Sequence, residues 1–302
     1  MKTEVIQNLT SKYAIECKNL KIVFNEHTDK EFLVLDDFSY NFEKNKIYFI
    51  IGNSGTGKTS LVTHFNGLIK SKYGDIRVGN LHIDNKKRKI KNFKLLRRTV
   101  GMVFQFPEYQ LFKDTVEKDI IFGPINLGDN KVDAKKKAKK YLNMLGLSDE
   151  YLQRSPFGLS GGQKRRVAIA GILAIEPQIL IFDEPTAGLD PAGEQEMIDI
   201  ILSLKKQGKT VIVITHNMDH VLSIGDDVLV LDNKKMITSG TPYEIFMNKS
   251  LITSTQLDTP MVINVINNLT QDNKKFEKLY KLQPRNVKQL ADNISQIIKG
   301  GK

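Results

Sequence analysis

The stretch Ile47-Tyr48-Phe49-Ile50-Ile51 runs directly into Gly52-Asn53-Ser54-Gly55-Thr56-Gly57-Lys58-Thr59-Ser60. Five consecutive apolar residues suit a strand buried on both faces, and the glycines end it ahead of a segment able to turn helical. G-x-x-x-x-G-K-[ST] in that strand-to-helix setting reads as a phosphate-binding loop. Its backbone N–H groups converge on phosphate oxygens, and the helix N-terminus adds partial positive charge. Lys58 is expected to reach the β- and γ-phosphates of a nucleotide, and the Thr59 hydroxyl to coordinate Mg²⁺. Gly52, Asn53, Ser54, Gly55, Thr56, Gly57 and Ser60 complete the expected nucleotide-binding loop.

Further apolar runs, Val100–Phe104, Ile179–Phe182, Val211–Thr215 and Val228–Leu231, alternate with helical patterns through about residue 240. Strand-sized runs of this kind predict an α/β domain with a largely parallel sheet. The run Ile179–Phe182 ends in Asp183-Glu184. Open α/β sheets bind ligands beyond the C-terminal ends of their strands, so Asp183 can hold the magnesium through water. Glu184 is then the candidate general base that orients and polarises an attacking water. Alone, a carboxylate pair after a strand says little; beside a phosphate loop it points to nucleotide hydrolysis.

Leu159-Ser160-Gly161-Gly162-Gln163 leads into Lys164-Arg165-Arg166-Val167-Ala168-Ile169-Ala170. Ser160 is a good N-cap and the paired glycines permit close backbone approach, which makes a second phosphate-binding helix terminus. One nucleotide has no use for two such termini on the same face of one domain. The economical solution is a dimer in which each chain's Ser160–Gly162 closes over its partner's ATP. Asp190-Pro191 is expected to open another helix, and the lysine-rich Val132–Leu147 reads as a surface helix with Ala138, Tyr141, Leu142 and Leu145 turned inward.

The chain has 302 residues, 40% hydrophobic and 26% charged, an ordinary globular composition that fits one large domain or two smaller ones. Its apolar runs fall far short of the roughly 20 residues a spanning helix needs. The single cysteine, Cys17, excludes an internal disulfide framework and suits a reducing compartment, while the charged opening Met1–Val5 predicts no secretory leader. The net charge of +11 leaves nucleic acid, an anionic membrane surface, a nucleotide and plain lysine-rich solvation open. Residues 86–98, with eight basic residues but only Phe93 as an aromatic, are open to nucleic acid, an anionic membrane leaflet or a solvated face. His216 and His220 lie four apart, yet no third ligand accompanies them.

In their order the motifs resemble those of the ATP-binding-cassette ATPases over about residues 12–240: phosphate loop, Gln105, Leu159–Gln163, Asp183-Glu184, Ala187-Gly188-Leu189-Asp190 and Thr215-His216. The resemblance implies an α/β P-loop NTPase fold with a helical subdomain over about 108–170. It also implies that Gln105 contacts the metal and the attacking water, that His216 clamps the γ-phosphate, and that Asp190 couples two sites across the dimer. Phe24 stands where that family usually has a tyrosine stacked on adenine.

A narrower resemblance, to the energy-coupling-factor transporter ATPases, covers nearly the whole chain. It is carried by residues 103–112 (VFQFPEYQLF), 115–124 (TVEKDIIFGP) and 155–166 (SPFGLSGGQKRR), the last pointing to the second of two paralogous ATPases. Departures are mild: Asn53, Ser54 and Thr56 replace commoner loop residues, Thr59 replaces serine, and Gly158 replaces a longer side chain. The resemblance implies ATP and Mg²⁺ as cofactors and a peripheral place on the cytoplasmic face of the cell membrane. The implied partners are a paralogous ATPase in a heterodimer, a transmembrane coupling protein and a substrate-capturing membrane protein, with no nucleic acid. Glu108 is the candidate carboxylate for arginines on the coupling protein's helices, or else a solvated loop glutamate.

The expected function is therefore the ATP-hydrolysing subunit of an importer for a vitamin, another micronutrient or a transition-metal ion. The alternatives are a soluble cassette ATPase acting on nucleic acid or ribosomes, and the ATPase of another importer class. Residues 241–302 read as a small, mostly helical C-terminal domain. Its apolar stripe Val287, Leu290, Ile294, Ile297 and Ile298 is open to core packing or dimer contact.

Overall fold

The unbroken apolar runs become the middle of one sheet. The structure is a computed structural model that describes residues 11–70, 72–84 and 90–299. The charged opening Met1–Val5 and Lys86, Lys87, Arg88 and Lys89 lie outside the described residues. Strands are β1 (Tyr13–Phe24), β2 (Phe32–Glu43), β3 (Ile47–Ile51), β4 (Tyr73–Val78), β5 (Leu81–Ile83), β6 (Val100–Val103), β7 (Ile179–Asp183), β8 (Thr210–Ile214), β9 (Asp227–Asp232) and β10 (Lys235–Gly240). The six-stranded sheet runs β10-β9-β3-β8-β7-β6, parallel except for β10 at one edge. A four-stranded antiparallel sheet, β2-β1-β4-β5, packs beside it.

Helices are α1 (Lys58–Phe65), α2 (Phe93–Thr99), α3 (Val116–Asn126), α4 (Lys131–Met144), α5 (Gly161–Leu173), α6 (Pro191–Lys206), α7 (Met218–Ile224), α8 (Pro242–Met247), α9 (Lys249–Thr255), α10 (Met261–Asp272), α11 (Lys278–Leu282) and α12 (Val287–Lys299). In β3, side chains alternate between two cores: Ile47, Phe49 and Ile51 on one face, Tyr48 and Ile50 on the other. Strands β7, β8 and β9 divide in the same way. This is the physical content of an unbroken apolar run, because period-two geometry sends alternate residues to opposite faces and both faces are dry.

One core is shared with the antiparallel sheet, α1 and Leu96; the other with α3–α8 and the C-terminal helices. Tyr243, Phe246, Leu251, Ile263, Ile266 and Leu279 join Phe49 and Phe182 in that second cluster. The C-terminal helices thus pack on the main sheet. In α12 only Leu290 of the predicted stripe is buried; Ile294 and Ile297 are half-buried, and Val287 and Ile298 are exposed.

Three features differ from the sequence-based expectation. Of the antiparallel sheet only a strand-like segment around Cys17 was legible, because β1 and β2 carry register shifts and left-handed residues, Asn19 and Asp37, that break the period-two pattern. Lys137 also leaves the solvent face of α4. It is buried, and its ammonium meets Asp129 and Glu176. The basic run is likewise not one surface: Arg98, at the end of α2, is buried and bonds Asp129 and the carbonyl of Leu127.

Asp129 therefore holds two buried cations from two helices. Desolvation opposes its anion, but hydrogen bonds from Lys137 and Arg98 outweigh it and hold its pKa below the usual carboxylate range. A carboxyl whose folded pKa is depressed contributes stability that is complete above its unfolded value and lost as pH falls through the folded one. Asp129→Asn should lower the unfolding free energy by about 3 kcal/mol at neutral pH. The deficit should persist at higher pH and shrink below pH ~4. Urea titrations of both proteins across pH check this, and a deficit that grows on acidification would contradict it.

Candidate active site

Register places the site. Ile50 of β3 and Asp183 of β7 both stand opposite Ile214 of β8, so the turn after β3 and the carboxylates after β7 leave the sheet at the same edge. The turn is built around Gly57, the N-cap of α1, at φ +94°, a left-handed backbone in which an added Cβ would stand 2.9 Å from a Val34 methyl. With no side-chain cap, the first N–H groups of α1 stay available to an anion. Lys58 folds back over the loop, its ammonium 2.7 Å from the Gly52 carbonyl and 2.9 Å from that of Asn53.

Thr59 points the other way and donates a 2.8 Å hydrogen bond to Asp183. Glu184 follows in a left-handed conformation, φ +50°, with its N–H bonded to the Ile214 carbonyl. One carboxylate oxygen, Oε1, is buried and receives no hydrogen bond, although His216 Nε2 lies 3.3 Å away. Burial, and then the Asp183 charge, push the Glu184 carboxyl above its ordinary pKa; burial also raises Asp183, against Thr59, Lys58 and His216. Lys58 and His216 are both lowered, chiefly by burial, and His216 further by the Lys58 charge.

These groups fit a magnesium nucleotide. A hydroxyl and a carboxylate are the hard oxygen donors magnesium takes, and Lys58 rests on carbonyls it can leave for phosphate oxygens. Glu184 Oε1 accepts no hydrogen bond, so its capacity as an acceptor is unspent. Among the described residues no group of three or more His, Cys, Asp or Glu forms a metal site by itself. Magnesium bound mainly by phosphate and water needs none.

Thr56 and Ser60 serve the loop itself: the Thr56 hydroxyl bonds the Asn53 carbonyl, while the Ser60 carbonyl accepts from Thr63 and His64. Ser54 and Gly55 are exposed, with open space above Gly55. Gln105 is exposed in the bend after β6, next to the β7 edge that carries Asp183. Phe24, at the end of β1, is half-buried in a cleft with His64, Ile69 and Lys70. Ser160 caps α5 through a reciprocal bond with Gln163, Leu159 is buried beneath it, and Gly161 and Gly162 face open space. Asp190 caps α6 through Gly193.

His216 and His220 are not a metal pair. Asn217 starts α7 between them, and His220 faces Glu194 instead. Glu108 also departs from expectation: its carboxylate is held by Arg165, at 3.1 and 3.3 Å. Arg165 itself was missed; the signal was a basic residue four before Ile169 and eight before Leu173, on the buried face of α5. Asn53, one of the departures from the commoner loop, has a reason in the fold: its amide donates to the Thr255 carbonyl at the end of α9, tying the phosphate loop to the C-terminal helices.

Residues 35–187 match the family model described as ABC transporter. Two relatives bear the name energy-coupling factor transporter ATP-binding protein EcfA2. The one from Mycoplasmoides gallisepticum is 57% identical over 96% of this chain and 93% of its own length. The one from Mycoplasma genitalium is 56% identical over 97% and 96%. Among solved structures, cbiO1 from Clostridium perfringens, titled part of the ABC transporter complex cbiONQ, is 34% identical with a TM-score of 0.69, covering 85% of this chain and all (100%) of that one. A dimeric ATP-binding cassette bound to ADP and Pi after hydrolysis is 25% identical, with a TM-score of 0.67 over 76% of this chain and 98% of that one.

Two glycine substitutions separate loop geometry from open surface. Gly52→Ala would place its Cβ 2.1 Å from the Leu231 carbonyl oxygen at φ +146°, so it should abolish nucleotide binding and destabilise the fold by more than about 2 kcal/mol. Gly162→Ala meets nothing within 4 Å and should unfold within about 1 kcal/mol of the unsubstituted chain. Calorimetry with and without nucleotide checks both; equal losses of stability would refute the contrast.

Proposed function

We infer the function of this chain from its family: it belongs to the ABC transporter ATPases, and within them to the energy-coupling-factor ATP-binding subunits of the second paralogous kind. It hydrolyses ATP to drive an importer. The observation that carries the reading is the Thr59–Asp183 hydrogen bond beside the unpartnered Glu184 oxygen, at the mouth of a phosphate loop.

Lys58 and the N–H groups of α1 bind and orient the β- and γ-phosphates. Thr59, and Asp183 through water, would hold magnesium, whose positive charge would offset that of the phosphates. Glu184 accepts a proton from the water that attacks the γ-phosphorus, and its raised pKa makes it a stronger base than an ordinary glutamate. His216 stands against Glu184 as a largely neutral imidazole at pH 7, since its pKa is lowered, and steadies the γ-phosphate by hydrogen bonding. Gln105 senses the metal and the attacking water from the neighbouring strand end. Phe24 stacks on the adenine.

The second half of the site comes from a partner ATPase. The exposed cap at Ser160, with Gly161 and Gly162 open to solvent, supports closure over the partner's ATP. Asp190, at the start of α6, lies where the two sites are coupled. A paralogous ATPase completes the pair, and residues 241–302 form a C-terminal domain that contributes to its assembly. A transmembrane coupling protein and a substrate-capturing membrane protein supply the passage, for no described helix is long and apolar enough to cross a membrane.

The coupling protein docks in the cleft lined by Gln110, Leu111, Phe112, Phe122, Val167 and Ile175. Phe112 and Phe122 meet edge to face at 4.9 Å there, both exposed, which supports an apolar helix as the occupant. Glu108 borders this surface, but a partner's arginine reaches it only by sharing or displacing Arg165. The chain thus works at the cytoplasmic face of the membrane, and the cargo is a vitamin, another micronutrient or a transition-metal ion.

Glu184→Gln should keep ATP binding, lower turnover at least about 100-fold and accumulate the closed dimer. Hydrolysis within tenfold of the unsubstituted enzyme would remove Glu184 as the base. Phe112→Glu with Phe122→Glu should leave ATP binding intact while membrane proteins no longer co-purify with the chain; unchanged recovery would overturn the docking cleft.

A further inference from the structure

Arg165 lies on α5 just past the Ser160 cap, with a side chain only 7% exposed. Its Nε and Nη2 groups donate to the two Glu108 oxygens, at 3.1 and 3.3 Å, and Nη1 donates to the Ala187 carbonyl at 3.0 Å. The guanidinium also faces Phe106, 5.9 Å from the ring centroid. The same ring lies near Gly188, where an added Cβ would stand 3.8 Å from its edge carbon. Phe106 and Gly188 both hold left-handed backbones, φ +54° and +73°, at the points where their loops turn. One side chain thus holds three segments: the turn Pro107–Gln110 that borders the docking cleft, the loop Ala187–Asp190, and the helix that starts at Ser160.

We propose that Arg165 is a positioning residue that makes these three segments move as one body, so that a push on Pro107–Gln110 by a membrane partner reaches Asp190 and Ser160. The inference rests on the docking reading given above. Its physical basis is geometric. A buried ion pair adds little net stability, because desolvation consumes most of the attraction. A planar guanidinium, however, can make a two-pronged bond to a carboxylate and a third bond to a carbonyl at fixed mutual angles, which a lysine ammonium cannot. Glu108 is the handle in this arrangement: it is the only charged residue of Pro107–Gln110, and its whole carboxylate is spent on Arg165.

The test uses the full complex, with the sister ATPase and the membrane proteins, in proteoliposomes. Arg165→Lys should leave co-purification of the membrane proteins intact and the KM for ATP within about twofold, while transport-coupled turnover falls about tenfold. Glu108→Gln should lower turnover to a similar degree, and the double variant should fall no more than about twofold below the worse single one, since both break one link. Phe106→Leu, which removes the ring but leaves the ion pair, should give the same split at smaller size and supplies the reading if Arg165→Lys does not fold. Losses that multiply in the double variant, or a raised KM with unchanged turnover, would overturn the proposal. Failure of the docking reading is seen separately, as normal assembly of the Phe112→Glu, Phe122→Glu protein.

Discussion

The hydrogen bond from Thr59 to Asp183 joins two turns that lie 124 positions apart in the chain, and the rest of the site is arranged around it. It exists only because β3 and β7 flank β8 in a common register, so that both turns emerge at one edge. A shift of one residue in either pairing would invert the faces of that strand and exchange its two cores. The alternation of Phe49 and Ile50, or of Phe182 and Ile181, between two dry clusters is therefore also what aligns the hydroxyl with the carboxylate.

The sheet supports a site that is not optimised for its own stability. Glu184 sits in a left-handed backbone with a buried, unpartnered oxygen, and Lys58 loses solvation against carbonyls. Such features each cost on the order of 1–3 kcal/mol and persist only where the surroundings over-determine them. Here the surroundings are strands buried on both faces and a second sheet that presses Val34 against Gly57. The Asn53–Thr255 bond adds a brace from the C-terminal helices, so the loop is held from two sides of the fold.

The helical region between Val116 and Leu173 is joined by ion pairs as well as by apolar packing. Asp129 gathers Arg98 and Lys137, Glu176 meets Lys137 and Lys140, and Glu108 gathers Arg165. In a basic chain these carboxylates convert part of the excess from surface charge into internal joints. Neither the run ending at Arg98 nor the lysines of α4 can then be read as one uniform solvent-facing or lipid-facing stripe.

Much of this was legible in the residues. The phosphate loop, the Asp183-Glu184 pair beside it and the capped glycines at Ser160–Gly162 are local patterns that point to their chemistry together, and short unbroken apolar runs bounded by turn residues suit strands with two buried faces. The antiparallel sheet was hidden beyond the strand-like segment at Cys17, because left-handed residues such as Asn19 and Asp37 interrupt its alternation. The burial of Lys137 and Arg98, the bond from Asn53 to Thr255 and the Arg165 junction were hidden for a different reason. Each depends on which distant carbonyl or carboxylate folding brings within about 3 Å, and a charged side chain looks the same in sequence whether it meets water or a partner. The sequence by itself determined which groups are the candidates to react, because such groups come in short motifs. Only the tertiary structure decided which charges are joints and which are surface, because that depends on long-range packing.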